Sequence, residues 1–183
     1  VTYIGGTGND LALTTSAAAS TGVLDVVDVT PDPRNGPVDT VDVTFSGPIN
    51  VGTFDASDLV LTRDGVAVPL SGLSVALVSG NTYRVSGLTS ATTPGGSYTL
   101  AVNGAGINDA TAAAVVGSAS DDWLNDTKAP TSKVDALAAR QAATSFQVSV
   151  TGSDGAPGSG VVSYDIYVRI DTGVWAFWTN VPA

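Results

Sequence analysis

The residues best suited to chemistry in this chain are aspartates. Asp121, Asp122 and Asp126 lie close together in the sequence, and Asp154 follows in a glycine-rich stretch. Calcium takes roughly six to eight oxygen ligands, mainly from carboxylates, backbone carbonyls and water. The first three residues are therefore candidate calcium ligands at a joint between modules, and Asp154 is a further candidate. The alternative is that these carboxylates cap turns and keep the surface soluble.

A second carboxylate pair is formed by Asp55 and Asp58. Glycoside hydrolysis needs two carboxyl groups about 5 to 10 Å apart across a sugar cleft. These two aspartates instead lie in a turn-like segment just before an apolar run that begins at Leu59. We therefore predict that they cap that turn and take no part in catalysis.

Three aromatic residues near the end of the chain are the candidate binding surface. Alternation along a strand places Trp175 and Phe177 on one face and Trp178 on the other. Aromatic rings on a flat sheet face could hold sugar rings, so carbohydrate is a candidate ligand. The alternative, which the pattern favours, is that these rings belong to the core of a module.

Residue types that are missing limit the chemistry further. The chain has no Cys, Met or His. Thiol nucleophiles, Ser-His-Asp triads, Cys- or His-ligated zinc and disulfides are therefore excluded among its residues. The net charge of -10 argues against nucleic acid, because phosphate binding needs clustered Lys and Arg. We predict that these residues are not an enzyme, bind no nucleic acid and span no membrane.

Composition and periodicity predict an all-β fold. All 17 acidic residues are Asp, and there are 21 Gly and 9 Pro, which is typical of strands joined by many turns. Val41, Val43 and Phe45 alternate with polar residues, as in a half-buried strand. The Asp64-Gly65 pair between apolar runs indicates a hairpin turn. Helix is expected at most as a single turn near residues 56–58 or 108–109.

Four segments carry a resemblance to a known family. They are Val-Asp-Val-Thr-Phe-Ser-Gly-Pro-Ile (41–49), Thr-Phe-Asp-Ala-Ser-Asp-Leu (53–59), Tyr-Thr-Leu-Ala-Val (98–102) and Gly-Ile-Asn-Asp (106–109). Together they make residues 23–123 resemble the bacterial immunoglobulin-like domain of surface-layer proteins. Tyr98, at the start of a late strand, is similar to the tyrosine corner of such sandwiches, whose hydroxyl bonds to the upstream backbone.

The remaining parts of the chain resemble pieces of other modules. Residues 1–15 contain a Gly-Gly-Thr-Gly-Asn-Asp turn between two short apolar runs and resemble the closing hairpin of secreted β-helical passenger repeats. The same turn is similar to one calcium repeat of RTX proteins, but such repeats bind calcium only when stacked, so a plain hairpin ending an upstream domain is favoured. Residues 16–22 have the small-residue composition of a linker. Residues 124–132 are predicted to be a stiff, extended linker, because Pro130 holds the preceding residue extended.

Residues 133–183 resemble the start of a fibronectin-type-III-like or bacterial immunoglobulin-like module. About three strands are expected there, at 145–150, 161–170 and 174–179, whereas a complete sandwich needs about seven. We therefore expect an excerpt of a longer polypeptide: tandem immunoglobulin-like β-sandwich modules, one complete and one partial. We also expect strands from elsewhere to complete the last one.

The family resemblance implies a function and a location. It implies a secreted or cell-surface bacterial multi-modular protein with a structural or adhesive role in spacing, adhesion or surface-layer assembly. Expected partners are neighbouring modules of the same chain or other copies. The alternative is an accessory region of a secreted hydrolase whose catalytic domain lies outside these residues.

Overall fold

The computed structural model describes residues 20–140 and 144–183. The predicted strands within residues 1–15 and most of the predicted linker at 16–22 lie outside this range. In the described part the chain is almost entirely β-strand, which confirms the all-β prediction. Eight strands form one sandwich, and four further strands follow it.

Two four-stranded antiparallel sheets make the sandwich. The first sheet has the strand order β1-β2-β6-β5, and the second has the order β4-β3-β7-β8. The eight strands are β1 (Val23–Val26), β2 (Thr40–Phe45), β3 (Leu59–Arg63), β4 (Val66–Val68), β5 (Ser74–Ser79), β6 (Thr82–Ser86), β7 (Gly96–Asn103) and β8 (Ser118–Asn125).

Alternation along the strands explains why the two sheets pack face to face. In β2 the buried residues are Val41, Val43 and Phe45, and in β7 they are Tyr98, Leu100 and Val102 together with its glycine at the start. One face of each sheet is thus apolar and must be removed from water. Both faces meet in a single hydrophobic core that also includes residues from β3, β6 and β8.

Short helical turns occur at four places in the sandwich. Three are single 3₁₀ turns, at Val51–Thr53, Ala56–Asp58 and Gly104–Gly106, and the fourth is α1 (Thr89–Thr92). The turn predicted at 56–58 is confirmed. At the alternative position, 108–109, Asn108 forms a bridge with Ala114, and the nearest helical turn is the one at Gly104–Gly106. The turns at Val51–Thr53 and Thr89–Thr92 were not predicted.

Strand β8 corrects the prediction that Asp121 and Asp122 lie at a joint between modules, because both residues are inside this strand. All eight of its residues pair with β7, from Asn103 opposite Ser118 to Gly96 opposite Asn125. Its sequence, Ser-Ala-Ser-Asp-Asp-Trp-Leu-Asn, is too polar to predict a strand, since Asp and Asn have low β-propensity. Tertiary pairing with a long neighbouring strand overrides that local preference.

The C-terminal region consists of two separate hairpin-like sheets. Strand β9 (Thr131–Val134) pairs with β10 (Val150–Ser153), and β11 (Ser163–Val168) pairs with β12 (Ala176–Pro182). The sequence predicted three strands here, at 145–150, 161–170 and 174–179, and the structure has four. The strand predicted at 145–150 is wrong except at Val150, where β10 begins. Strand β9 was missed because Thr-Ser-Lys-Val shows no alternation, and all four residues are exposed. Among the described residues, no helix is long and apolar enough to cross a membrane.

Candidate functional site

The candidate site is the joint between the sandwich and the C-terminal strands. We define the joint as residues 125–130 together with the loop 154–160. On the sandwich side, β8 brings the chain to the joint, and a proline-rich loop lies beside its last residues. The Arg34 N–H donates to the Leu124 carbonyl (2.9 Å), and the Asp126 N–H donates to the Arg34 carbonyl (2.7 Å). The backbone of Arg34 therefore holds the entry to the joint through two hydrogen bonds, one on each side of Asn125 in the sequence.

Asn125 anchors the joint in the sandwich. It is completely buried, and its side-chain NH₂ donates to the Thr92 carbonyl (2.9 Å). Its side-chain oxygen accepts a hydrogen bond from the Gly36 N–H (2.9 Å). A buried side-chain amide needs hydrogen-bond partners for both its NH₂ group and its oxygen. These contacts therefore fix the position at which β8 ends.

Asp126 is the central residue of the joint. It is 7 % exposed, and one carboxylate oxygen accepts from the Lys128 N–H (3.0 Å). The other oxygen accepts from the Ser159 N–H (2.8 Å) and the Ser159 hydroxyl (2.7 Å). The Ser159 hydroxyl, its N–H and the Lys128 N–H hold the pKa of Asp126 below its ordinary value, in that order of effect. The charged form is thus the one that ties the two sides together.

Asp154 lies on the far side of the same contact. One of its oxygens accepts from the Gly160 N–H (2.9 Å) and from the Ser159 hydroxyl (3.4 Å). Its other oxygen, Oδ1, is buried and has no hydrogen-bond partner. A second link across the joint runs from the Lys128 ammonium to the Ala156 carbonyl (2.7 Å). Sequence reasoning missed Ser159 and this lysine contact, because no local pattern relates residues so far apart in the chain.

Asp121 and Asp122 are not part of the joint contact. They are neighbours in β8, so their side chains point to opposite faces of the sheet. Asp121 is half-buried and accepts from the Val29 N–H (2.8 Å). Burial raises the pKa of Asp121, and the nearby charges of Asp28 and Asp122 act in the same direction. Among the described residues, no group of three or more carboxylates is arranged to hold a metal ion.

The pair Asp55 and Asp58 forms a capping box, as the sequence predicted. One Asp55 oxygen accepts from the Ser57 N–H (2.8 Å) and the Ser57 hydroxyl (2.7 Å). The Asp58 carboxylate accepts in turn from the Asp55 N–H (3.0 Å). Both carboxylates therefore satisfy the backbone of the turn that leads into β3.

The aromatic residues near the end of the chain lie on the hairpin of β11 and β12. Trp175, Phe177 and Trp178 are all more than half exposed. The Arg169 guanidinium lies over the Trp175 ring (4.9 Å), and Tyr167 contacts Phe177 edge to face (5.7 Å between ring centroids). An irregular register at Ile166 and Tyr167 leaves Trp178 between the paired residues of β12. The Tyr167 and Phe177 rings lie at 76° to each other.

Comparison with known proteins gives only distant likenesses. No protein-family model and no curated protein matches the chain. Among solved structures, the N-terminal part of the bacterial S-layer protein SbsC is similar with a TM-score of 0.43 and 19 % identity, over 86 % of this chain and 37 % of that one. The S-layer protein rSbsC(31-844) is similar with a TM-score of 0.41 and 18 % identity, over 86 % of this chain and 22 % of that one. This chain thus spans well under half of either protein, and similarity at this level carries no argument about its role.

Proposed function

We propose that this chain is a non-catalytic structural stretch of a secreted or cell-surface multi-modular protein, in which one immunoglobulin-like sandwich is rigidly joined to the next module. The observation that carries the proposal is the closed joint: Asp126 bonds Ser159 through two hydrogen bonds, and Lys128 bonds the Ala156 carbonyl. Spacer modules need such fixed joints, because a flexible connection would not keep a defined spacing.

Strand order supports the immunoglobulin-like assignment. The order β1-β2-β6-β5 facing β4-β3-β7-β8 corresponds to strands A-B-E-D facing C′-C-F-G of that fold. The Tyr98 hydroxyl donates to the Pro94 carbonyl (2.7 Å), four residues upstream, as in a tyrosine corner. The Tyr98 ring also stacks on Trp123 with 5.4 Å between the ring centroids. The sequence motifs that resemble surface-layer modules support the extracellular setting.

A test of the spacer role is the shape of the chain in solution. We expect small-angle X-ray scattering of the wild-type chain to fit one arrangement of the sandwich and the C-terminal strands. In Asp126→Ala the joint loses its hydrogen bonds to Ser159. The maximum dimension of the molecule, measured by scattering, should therefore increase. Asp122→Ala is the matched control, because it removes the same charge from an exposed strand position nearby. A wild-type curve that needs many arrangements would contradict the proposal.

Calcium is the ion that we propose for this joint. Asp126 and Asp154 share the Ser159 hydroxyl, and the buried Asp154 Oδ1 without a partner supports a cation there. Backbone oxygens and water would have to complete the shell that calcium needs. Binding to the folded state alone must raise the melting temperature. We expect calcium to raise it in the wild type and not in Asp154→Asn, and an unchanged wild type would reject the proposal.

A further inference from the structure

Two Asn-Gly pairs occur in the chain, at Asn35-Gly36 and at Asn103-Gly104. In such a pair the backbone nitrogen of the glycine can attack the side-chain carbonyl carbon of the asparagine, because glycine has no side chain to block the approach. The reaction needs an asparagine side chain that is free to turn, a glycine nitrogen that can be reached, and space for the ring that forms. The structure separates the two pairs on these requirements.

The pair Asn103-Gly104 is held at both reacting groups. The Asn103 side-chain oxygen accepts from the Ala105 N–H (3.0 Å). The Gly104 N–H donates to the Gly117 carbonyl (2.9 Å). Gly104 is also buried, and a Cβ on it would lie 2.8 Å from the Val115 side chain. Attack would therefore require two hydrogen bonds to break at a packed end of the sandwich.

The pair Asn35-Gly36 lies in the loop between β1 and β2 and is much less restrained. The Asn35 side chain is exposed and makes no hydrogen bond to any described residue. Around Gly36, no heavy atom beyond its chain neighbours lies within 4 Å of the place that a Cβ would take. The Asn35 side chain can therefore turn onto the Gly36 nitrogen, and water can reach the ring that results.

One hydrogen bond restrains the attacking nitrogen of this pair. The Gly36 N–H donates to the buried side-chain oxygen of Asn125 (2.9 Å), which is one of the contacts that anchor the joint. The N–H must leave this oxygen before it can react. Exposed loops open at a low cost in free energy, whereas core strands open only near the cost of global unfolding. The reaction at Asn35 therefore proceeds through brief openings of the loop beside the joint.

We propose that Asn35 is a site of spontaneous deamidation whose product loosens the joint, whereas Asn103 is protected. The Gly36 nitrogen forms a bond to Cγ of Asn35 and the bond between Cγ and the side-chain nitrogen breaks. Ammonia leaves, carrying the proton that the Gly36 nitrogen gives up. Water then opens the cyclic imide at either carbonyl and gives aspartate or isoaspartate. In isoaspartate the backbone runs through the side chain and is one carbon longer.

The longer backbone disturbs the contacts that hold the joint. On one side of the new link, the Arg34 backbone is bonded to Leu124 and Asp126. On the other side, the Gly36 N–H is bonded to Asn125. One extra carbon between them moves this N–H away from the Asn125 oxygen, and a buried oxygen without a partner is destabilising. This consequence rests on the proposed structural role, whereas the modification itself does not.

Peptide mapping by mass spectrometry tests the modification. The complete chain is incubated at slightly alkaline pH, folded or in urea. In the folded protein we expect Asn35 to gain one mass unit about tenfold or more faster than Asn103, and in urea we expect similar rates. Trypsin cleaves after Arg34 and releases a peptide that begins at residue 35, in which aspartate and isoaspartate separate by chromatography. Equal rates in the folded protein, or an unmodified Asn35 when the urea sample has reacted, would overturn the proposal.

Two variants isolate the effect on the joint. Asn35→Gln has a longer side chain that disfavours the ring, so its joint should not change on incubation. Asn35→Asp carries the charge of the product on a normal backbone, and when fresh it should give the wild-type scattering curve. Only the incubated wild type should show a larger maximum dimension. An incubated wild type that contains isoaspartate and keeps its fresh curve would overturn the loosening. A fresh wild type in many arrangements would overturn the rigid joint and leave the modification standing.

Discussion

The sandwich and the C-terminal strands are built from similar alternating sequences but bury them very differently. In the sandwich Phe45 and Leu100 are 1 % and 0 % exposed, whereas Tyr167 and Trp175 in the C-terminal hairpin are 53 % and 63 % exposed. All buried apolar side chains of the described residues lie between Val23 and Trp123. An alternating pattern therefore selects a strand, but only a second complete sheet removes its apolar face from water.

The number of neighbouring strands explains the difference. Strand β7 is hydrogen-bonded to β3 on one side and to β8 on the other, and its apolar face is covered by the opposite sheet. Strand β11 pairs with β12 alone. Substitutions that are chemically identical in the two regions should therefore have unequal effects on stability.

The largest expected difference comes from Val102→Ala against Val168→Ala. Val102 is fully buried in β7, and Val168 is 46 % exposed in β11. Removing two buried methyl groups and leaving a cavity should cost about 2 kcal/mol of unfolding free energy. The same change at Val168 should cost less than about 0.5 kcal/mol. Urea unfolding followed by circular dichroism measures both values, and equal losses would contradict the comparison.

A smaller difference is expected from removing one hydroxyl in each region. Tyr98→Phe deletes the donor to the Pro94 carbonyl in the sandwich. We expect a loss of about 1 kcal/mol, since that is typical of one intramolecular hydrogen bond. Tyr167→Phe, on the exposed hairpin face, is the control. It should leave the midpoint of urea unfolding unchanged. A Tyr98→Phe protein as stable as the wild type would show that ring packing alone holds this corner.

The smallest expected effect is a pH-dependent loosening of the joint between the two regions. Because hydrogen bonds lower the pKa of Asp126, its charged form stabilises the joint at all pH above the ordinary Asp range. That contribution is lost only as the pH falls through the lowered pKa. Solution scattering should therefore show an unchanged joint from pH 7 down to about pH 4 and a looser one in stronger acid.

The variant Asp126→Asn separates this effect from general acid unfolding. Its joint should already be looser at pH 7 and should change less on acidification. Asp121 should change stability with pH in the opposite direction. Because burial raises its pKa, its protonation on acidification favours the folded sandwich slightly. A joint in Asp126→Asn that loosens over the same pH range as the wild type would assign the transition to another group.

Local features of this protein could be predicted from the sequence. The alternation at Val41, Val43 and Phe45 predicts β2, and Asp64-Gly65 predicts the turn between β3 and β4. The capping role of Asp55 and Asp58 and the tyrosine corner at Tyr98 were also predicted. Each of these depends on residues a few positions apart, where backbone geometry and side-chain reach are already set by the chain itself.

Long-range features were decided only by the tertiary structure. Polar β8 is a strand because β7 pairs with all of it, and α1 has no capping signal at Leu88 that would predict it. Asp126 and Asp154 were both candidate residues, but their meeting through Ser159 depends on how loop 154–160 lies against the end of the sandwich. Such contacts join residues far apart in the chain, and only closure of the whole fold brings them within hydrogen-bond distance. Local sequence thus determined the alternating strands such as β2 and the tight turns, whereas packing made a strand of polar β8 and determined which apolar faces are buried and which acids meet.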